Sequence, residues 1–131
     1  MAKVTFTNED ILRAKLVPPN FYPLVVKSFS EEQAGTDGSA LYVYDIRIEI
    51  GPYAGVPIRY QISEKAEGMG IEFFEACGNE VKAGIPFEYD KQVGKKMDGF
   101  VQRGEFKGRP KNEIVAFRKR SGADGSCEYF A

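Results

Sequence analysis

The chemistry in this sequence is concentrated between Lys91 and Arg120, KQVGKKMDGFVQRGEFKGRPKNEIVAFRKR. Ten Lys or Arg stand there against three acids, Asp98, Glu105 and Glu113, a local charge of +7 in a chain whose formal net charge is -1. Phe100, Phe106 and Phe117 are threaded through the same stretch. Lys and Arg neutralise phosphates with release of counterions, and aromatic rings stack on bases. The combination points to a partner that is anionic and flat-ringed, a nucleic acid. The plainer alternative is that the cations only keep a strand edge solvated and unpaired.

Other chemistries find little support. The chain has no histidine, so the commonest general base, metal ligand and nucleophile partner is missing. Cys77 and Cys127 lie far apart and form no metal-type spacing, and both read as free thiols. Residues 66–90 carry six acids and one lysine, among them Glu67, Glu72, Glu75 and Glu80 on a helix. Helix-surface carboxylates without companions are solvated rather than catalytic. The motif GMG at 68–70 lacks the lysine and serine of a phosphate loop. The sequence therefore predicts a binding protein, without catalytic residues, metal or cofactor.

A chain of 131 residues with 43% hydrophobic and 28% charged residues suits one globular domain. No apolar run approaches the roughly 20 residues of a membrane span, and MAKVTFTNED lacks the apolar core of a secretory signal. A cytoplasmic protein is expected on those grounds.

The elements that must carry the basic stretch follow from periodicity. Thr7 with Asp10 three residues later forms a capping box for a short helix over 8–14, closed by VPPN. Residues 21–29 read as a first strand and 30–39 as a polar loop. In 40–50, Tyr42, Tyr44, Ile46, Ile48 and Ile50 alternate with Asp45, Arg47 and Glu49, the pattern of a strand with one wet face. GPYAG turns the chain into a strand at 56–63. Apolar residues at 66, 69, 73, 76 and 77 then adopt helical spacing, stopped by Gly78-Asn79. A short strand at 85–90 and two longer ones at 97–106 and 112–120 follow, the last two joined by a KGRPK loop. The tail from 121 to 131 reads as flexible.

Three strands, a helix and two further strands is the order of a five-stranded, OB-like antiparallel β-barrel over 1–120, with one helix between strands three and four and a short N-terminal helix. Such folds bind oligonucleotides on strands two and three and with the loops joining strands one to two and four to five. That placement nominates Arg103, Lys107, Arg109 and Lys111 for phosphates, with Lys95 and Lys96 at the head of the basic stretch. Phe100, Phe106 and Phe29 are the candidate stacking platforms. Arg59 projects from the central hairpin's polar face, whereas Arg47, flanked by Asp45 and Glu49, is expected to form an ion pair. Arg118, Lys119 and Arg120 either prolong the phosphate path or end a strand.

The runs PPNFYPLVV, DIRIEIGPYAGVPI and GKKMDGFVQRGEFKGRPKNEI resemble small phage-encoded OB-fold single-stranded DNA-binding proteins over residues 18–120. The resemblance implies sequence-nonspecific single-stranded DNA binding in phage DNA replication or recombination, in the host cytoplasm. Homo-oligomers and replication or recombination proteins are the partners it implies. The tail ADGSCEYFA, with Asp124 and Glu128 as its acids, departs from the strongly acidic tails of bacterial relatives of that type. The competing reading is a protein-interaction module, or an inhibitor of a host protein, presenting the acidic helix. A small-ligand barrel is the weakest option.

Overall fold

The computed structural model describes residues 2–34, 38–84 and 86–120. The 121–131 tail lies outside the described residues, as do positions 35–37 of the first loop and Ile85. The chain is mostly β. Five antiparallel strands form one sheet in the order β3-β2-β1-β4-β5: β1 Asn20–Ala34, β2 Ser39–Ile48, β3 Pro57–Ser63, β4 Lys96–Phe106 and β5 Arg109–Arg118. Two short helices accompany them, α1 Asn8–Ala14 and α2 Ile71–Ala76.

The capping box holds as read. The Thr7 amide donates to the Asp10 carboxylate at 2.9 Å and the Asp10 amide to the Thr7 hydroxyl at 3.1 Å. α1 buries none of its residues. Leu12 packs partly against the core, and Glu9 accepts from both terminal nitrogens of Arg47, at 3.1 and 2.7 Å.

Four local expectations are corrected. β1 does not stop at 29 but runs on to Ala34, paired residue by residue with β2 beyond a bulge at Val26–Ser28. That bulge bends a strand long enough to serve two neighbours, β2 along Leu24–Ala34 and β4 along Asn20–Val25. The helix expected between the third and fourth strands, up to Gly78-Asn79, splits into a 3-10 segment, Glu64–Gly70, and α2. Glycines 68 and 70 weaken the first turns, and Gly70 lies where a side chain would strike Ile62. The short strand at 85–90 is absent among the residues described there; Tyr89–Gln92 is a 3-10 turn. Finally, KGRPK is not a loop. Lys107 and Gly108 alone make the turn, both at positive φ (52° and 78°), and Arg109 already belongs to β5.

The core lies on one face of the sheet. Leu24 and Val26 of β1 meet Tyr44, Ile46 and Ile48 of β2, Ile58 and Ile62 of β3, Met97 and Val101 of β4, and Ile114 and Phe117 of β5. The two edge strands approach through their side chains, with Tyr60 of β3 and Phe117 of β5 placing ring centroids 4.8 Å apart. Phe73 of α2 is fully buried beneath them, 5.2 Å from Tyr60, 5.0 Å from Phe117 and 4.8 Å from Tyr44. Near the start of β1, Asn112 clamps the incoming chain. Its side-chain amide donates to the Lys15 carbonyl at 2.8 Å, and its oxygen accepts from the Val17 amide at 3.0 Å.

Gly99 is required where β4 crosses this core. A Cβ there would sit 2.6 Å from Leu24 Cδ1 and 3.0 Å from Ile114 Cγ2. Gly99→Ala is therefore expected to destabilise by about 1–3 kcal/mol through overpacking, read as a lowered urea midpoint.

Candidate nucleic-acid interface

Directly opposed residues of an antiparallel pair share a face. Since Val101 and Ile114 point into the core, the pairs Phe100 with Ala116, Gln102 with Glu113, Gly104 with Lys111, and Phe106 with Arg109 share the outer face. β1 accompanies β4 only as far as the Asn20–Val101 pair. Beyond it, β4 and β5 continue as a two-stranded arm whose residues from Arg103 to Lys111 are mostly exposed.

The outer face of this arm carries aromatic rings at its base and tip, Lys111 and Arg109 toward the tip, and Gln102 opposite Glu113 between them. At its base Phe21 meets Phe100 edge to face, centroids 5.3 Å apart, and the Arg118 guanidinium lies 3.9 Å above the Phe21 ring. At its tip Phe106 is 61% exposed, with the ammonium groups of Lys107 and Lys111 at 5.4 and 5.7 Å from its ring centre. Six residues of strand separate Phe100 from Phe106, about 20 Å. Among the described residues, Arg103, Lys107, Arg109 and Lys111 make no ion pair. Four cations against Glu105 and Glu113 leave residues 102–113 at +2.

Lys107 adds a conformational argument. It is the one non-glycine at positive φ among the described residues, and the left-handed region costs an ordinary residue about 1–2 kcal/mol. Asn-Gly suits this two-residue turn better. Lys107→Asn is expected to raise stability by about 1 kcal/mol in urea unfolding, while weakening nucleic-acid binding. A cation is kept at the tip against the preference of the backbone.

The polar face of β2 and β3, the surface the strand order nominated, is internally neutralised. Arg47 is held by Asp45 at 2.9 Å and Glu9 at 2.7 Å, and the hydrogen bonds it donates to both carboxylates, Asp45 first, raise its pKa further. Its ion pair was expected, but with Glu9 rather than Glu49 as the second acid. Arg59 is exposed and sits 2.7 Å from Glu32. Phe29, nominated as a stacking platform, lies within β1. It is half-buried in mid-strand, near-parallel to Tyr42 and Tyr89 at 6.3 and 6.0 Å.

Lys95 and Lys96 are also separate from the arm tip, at the opposite end of β4. Lys96 pairs with Glu49 at 2.9 Å, and Glu49 also accepts from Arg120. Arg120 further lies 3.8 Å from the fully buried carboxylate of Asp98 and donates to the Leu24 carbonyl. Arg120 thus ties the strand end down rather than extending a phosphate path. Burial works against the Glu49 charge, but Lys96 and Arg120 outweigh it and lower its pKa below 4.5. Its contribution is present at neutral pH and is lost as pH falls through the depressed folded value. Glu49→Gln is accordingly expected to flatten the acid limb of the stability profile below pH 4.5, measured by urea midpoints across pH.

The structure thus brings together Phe106, Lys107, Arg109 and Lys111, with Phe100 at the arm's base; Arg103, opposite Asn112, lies on the arm's other face. It does not add Phe29, Arg59, Lys95 or Lys96 to that surface. Sequence reading missed Phe21 and left Arg118 open. Phe21 sits in FYPLVV, where both strand faces are apolar, so alternation does not reveal which ring is buried. Among the described residues no cluster of His, Cys, Asp or Glu could hold a metal ion, and no helix is long and apolar enough to cross a membrane. Burial pushes the Cys77 thiol up to about 12, leaving it unreactive. No protein-family model matches the chain, and no curated protein matches its sequence.

Proposed function

We propose that this protein binds single-stranded DNA without sequence preference, on an OB-like barrel, and acts by binding rather than by catalysis. The observation that carries the reading is the outer face of the β4–β5 arm, where exposed Phe106 is flanked by Lys107, Arg109 and Lys111. The cations track phosphates, and Phe106, with Phe21 and Phe100 some distance along the strand, offers faces for bases. Neither stacking nor charge reads base edges, so specificity is low.

Support for the barrel comes from the strand order, from α2 lying between β3 and β4 in sequence, and from the approach of Tyr60 to Phe117 across the sheet edges. The site differs from the usual one of that fold, because the face of β2 and β3 is occupied by its own ion pairs. Phage DNA replication or recombination in the host cytoplasm is the setting that the sequence resemblance suggests.

Fluorescence anisotropy of labelled oligo-dT against a duplex, at low and moderate salt, tests the proposal. Tight binding to the single strand that weakens with salt supports it. Absence of binding to either at low salt refutes it.

A further inference from the structure

The region opposite in charge to the arm also has a shape. Residues 64–92 hold seven acids and three lysines, a net of -4. Within them a groove of about 440 Å³ opens between α2 and the 3-10 turn at Tyr89–Gln92. Its wall is aromatic: Phe74 and Phe87 lie with ring centroids 3.6 Å apart, and Tyr89 meets Phe74 at 5.4 Å. Ile71, 42% exposed, stands at the mouth. Glu67, Glu80 and Glu88 line the groove together with Lys82 and Lys91; Glu67 accepts from the Tyr89 hydroxyl, while Glu80 and Glu88 are paired with those two lysines at 2.8 and 2.7 Å.

An aromatic slot edged by three carboxylates, two of them holding lysines, fits a large apolar side chain flanked by cations that can take over those carboxylates. The same chain displays one. Phe106 stands at the end of a projecting hairpin between Lys107, Arg109 and Lys111. The hairpin carries +2 and residues 64–92 carry -4, whereas the groove's own charged lining, three glutamates against Lys82 and Lys91, nets -1; docking exchanges the Lys82 and Lys91 pairs for the arm's cations. We infer that the groove receives the β4–β5 arm of a second copy of this chain, Phe106 entering the slot and the flanking cations meeting Glu67, Glu80 and Glu88.

Arm and groove are different surfaces, so the contact is heterologous: each bound copy still offers a free arm or a free groove. Growth is head to tail, unlike a closed two-fold dimer. Nucleic acid and the neighbouring copy then compete for the same arm. This inference stands apart from the nucleic-acid reading, since association is measured without any nucleic acid present.

The test is sedimentation velocity of the full chain at rising concentration in low salt. The wild type is expected to show mass increasing past a dimer, with salt reversing it. Phe106→Ala, which removes the arm's ring, and the triple variant E67Q, E80Q and E88Q are each expected to remain monomeric. Mixed in equal amounts, the two variants should form a dimer and stop there, because only one intact arm and one intact groove remain per pair. Circular dichroism melts matching the wild type verify that both variants fold. A wild type that stays monomeric throughout overturns the inference. So does a Phe106→Ala protein that associates as the wild type does, which would turn attention to the exposed Val4 and Phe6 instead.

Discussion

Phe73→Ala is expected to lower the unfolding free energy by about 3–5 kcal/mol, a large part of the roughly 5–15 kcal/mol that holds a domain of this size. The side chain is completely buried. Four rings surround it, Tyr44, Tyr60, Phe74 and Phe117, with centroids between 4.8 and 5.4 Å away. Those rings come from β2, β3, α2 and β5, so the cavity would open where the sheet's two edges are brought together. The neighbours are themselves bulky and locked against strands, which limits collapse into the space. Urea unfolding of Phe73→Ala beside Ile71→Ala, a nearby and partly exposed control, separates this from a general sensitivity of α2. A loss below about 1 kcal/mol at Phe73 would mean that the edges are held by something other than this aromatic cluster.

The second large effect concerns binding. The double variant R109A and K111A is expected to weaken oligo-dT binding and to flatten the log-log salt dependence by about 1.4, at roughly 0.7 for each single-strand phosphate that is no longer neutralised. Stability should change by no more than about 0.5 kcal/mol per substitution, because these side chains are exposed and make no ion pair among the described residues. Phe106→Ala should behave differently. It is expected to cost about 1–3 kcal/mol of affinity, through the loss of stacking, and to leave the salt slope unchanged. Arg59→Ala and Lys96→Ala provide the contrast, since both cations are engaged by carboxylates away from the arm. Equal losses from these two and from the arm variants would place the interface elsewhere.

Much of the architecture was legible in the sequence because burial on one face imposes alternation. The strand from Tyr42 to Ile48 and its partner from Ile58 to Ile62 could be read from that alone. The box at Thr7 and Asp10 likewise marked α1. What escaped depended on partners far along the chain. β1 continues through the polar run SEEQA because β2 pairs with it there, and pairing carries no apolar signature. The chain around Pro86 and Tyr89 has strand-like residues but contributes its rings to the helix side of the core. The segment after β3 is interrupted at Ala66, whose φ of -141° and ψ of 43° are non-helical, and runs on as a 3-10 turn to Gly70, where Ile62 takes the space of a side chain.

The candidate site was half legible. A run dense in Lys, Arg and Phe could be seen, but not which cations would be neutralised. Glu9, Glu32 and Glu49 lie 38, 27 and 47 residues from Arg47, Arg59 and Lys96, and only the fold pairs them. The outward turn of Phe21 was hidden for a similar reason. Its neighbours Tyr22 and Leu24 are buried while Phe21 faces Arg118 across the other side of the sheet.

Photocrosslinking of oligo-dT to the full-length protein, followed by tryptic mass spectrometry, tests the central claim most directly. Thymine couples to rings on which it stacks, so the adduct is expected on the peptide holding Phe106, with a second on that holding Phe100. Adducts confined to Tyr or Phe residues outside the β4–β5 arm and the neighbouring Phe21, or crosslinking unaffected by Phe106→Ala, would contradict it.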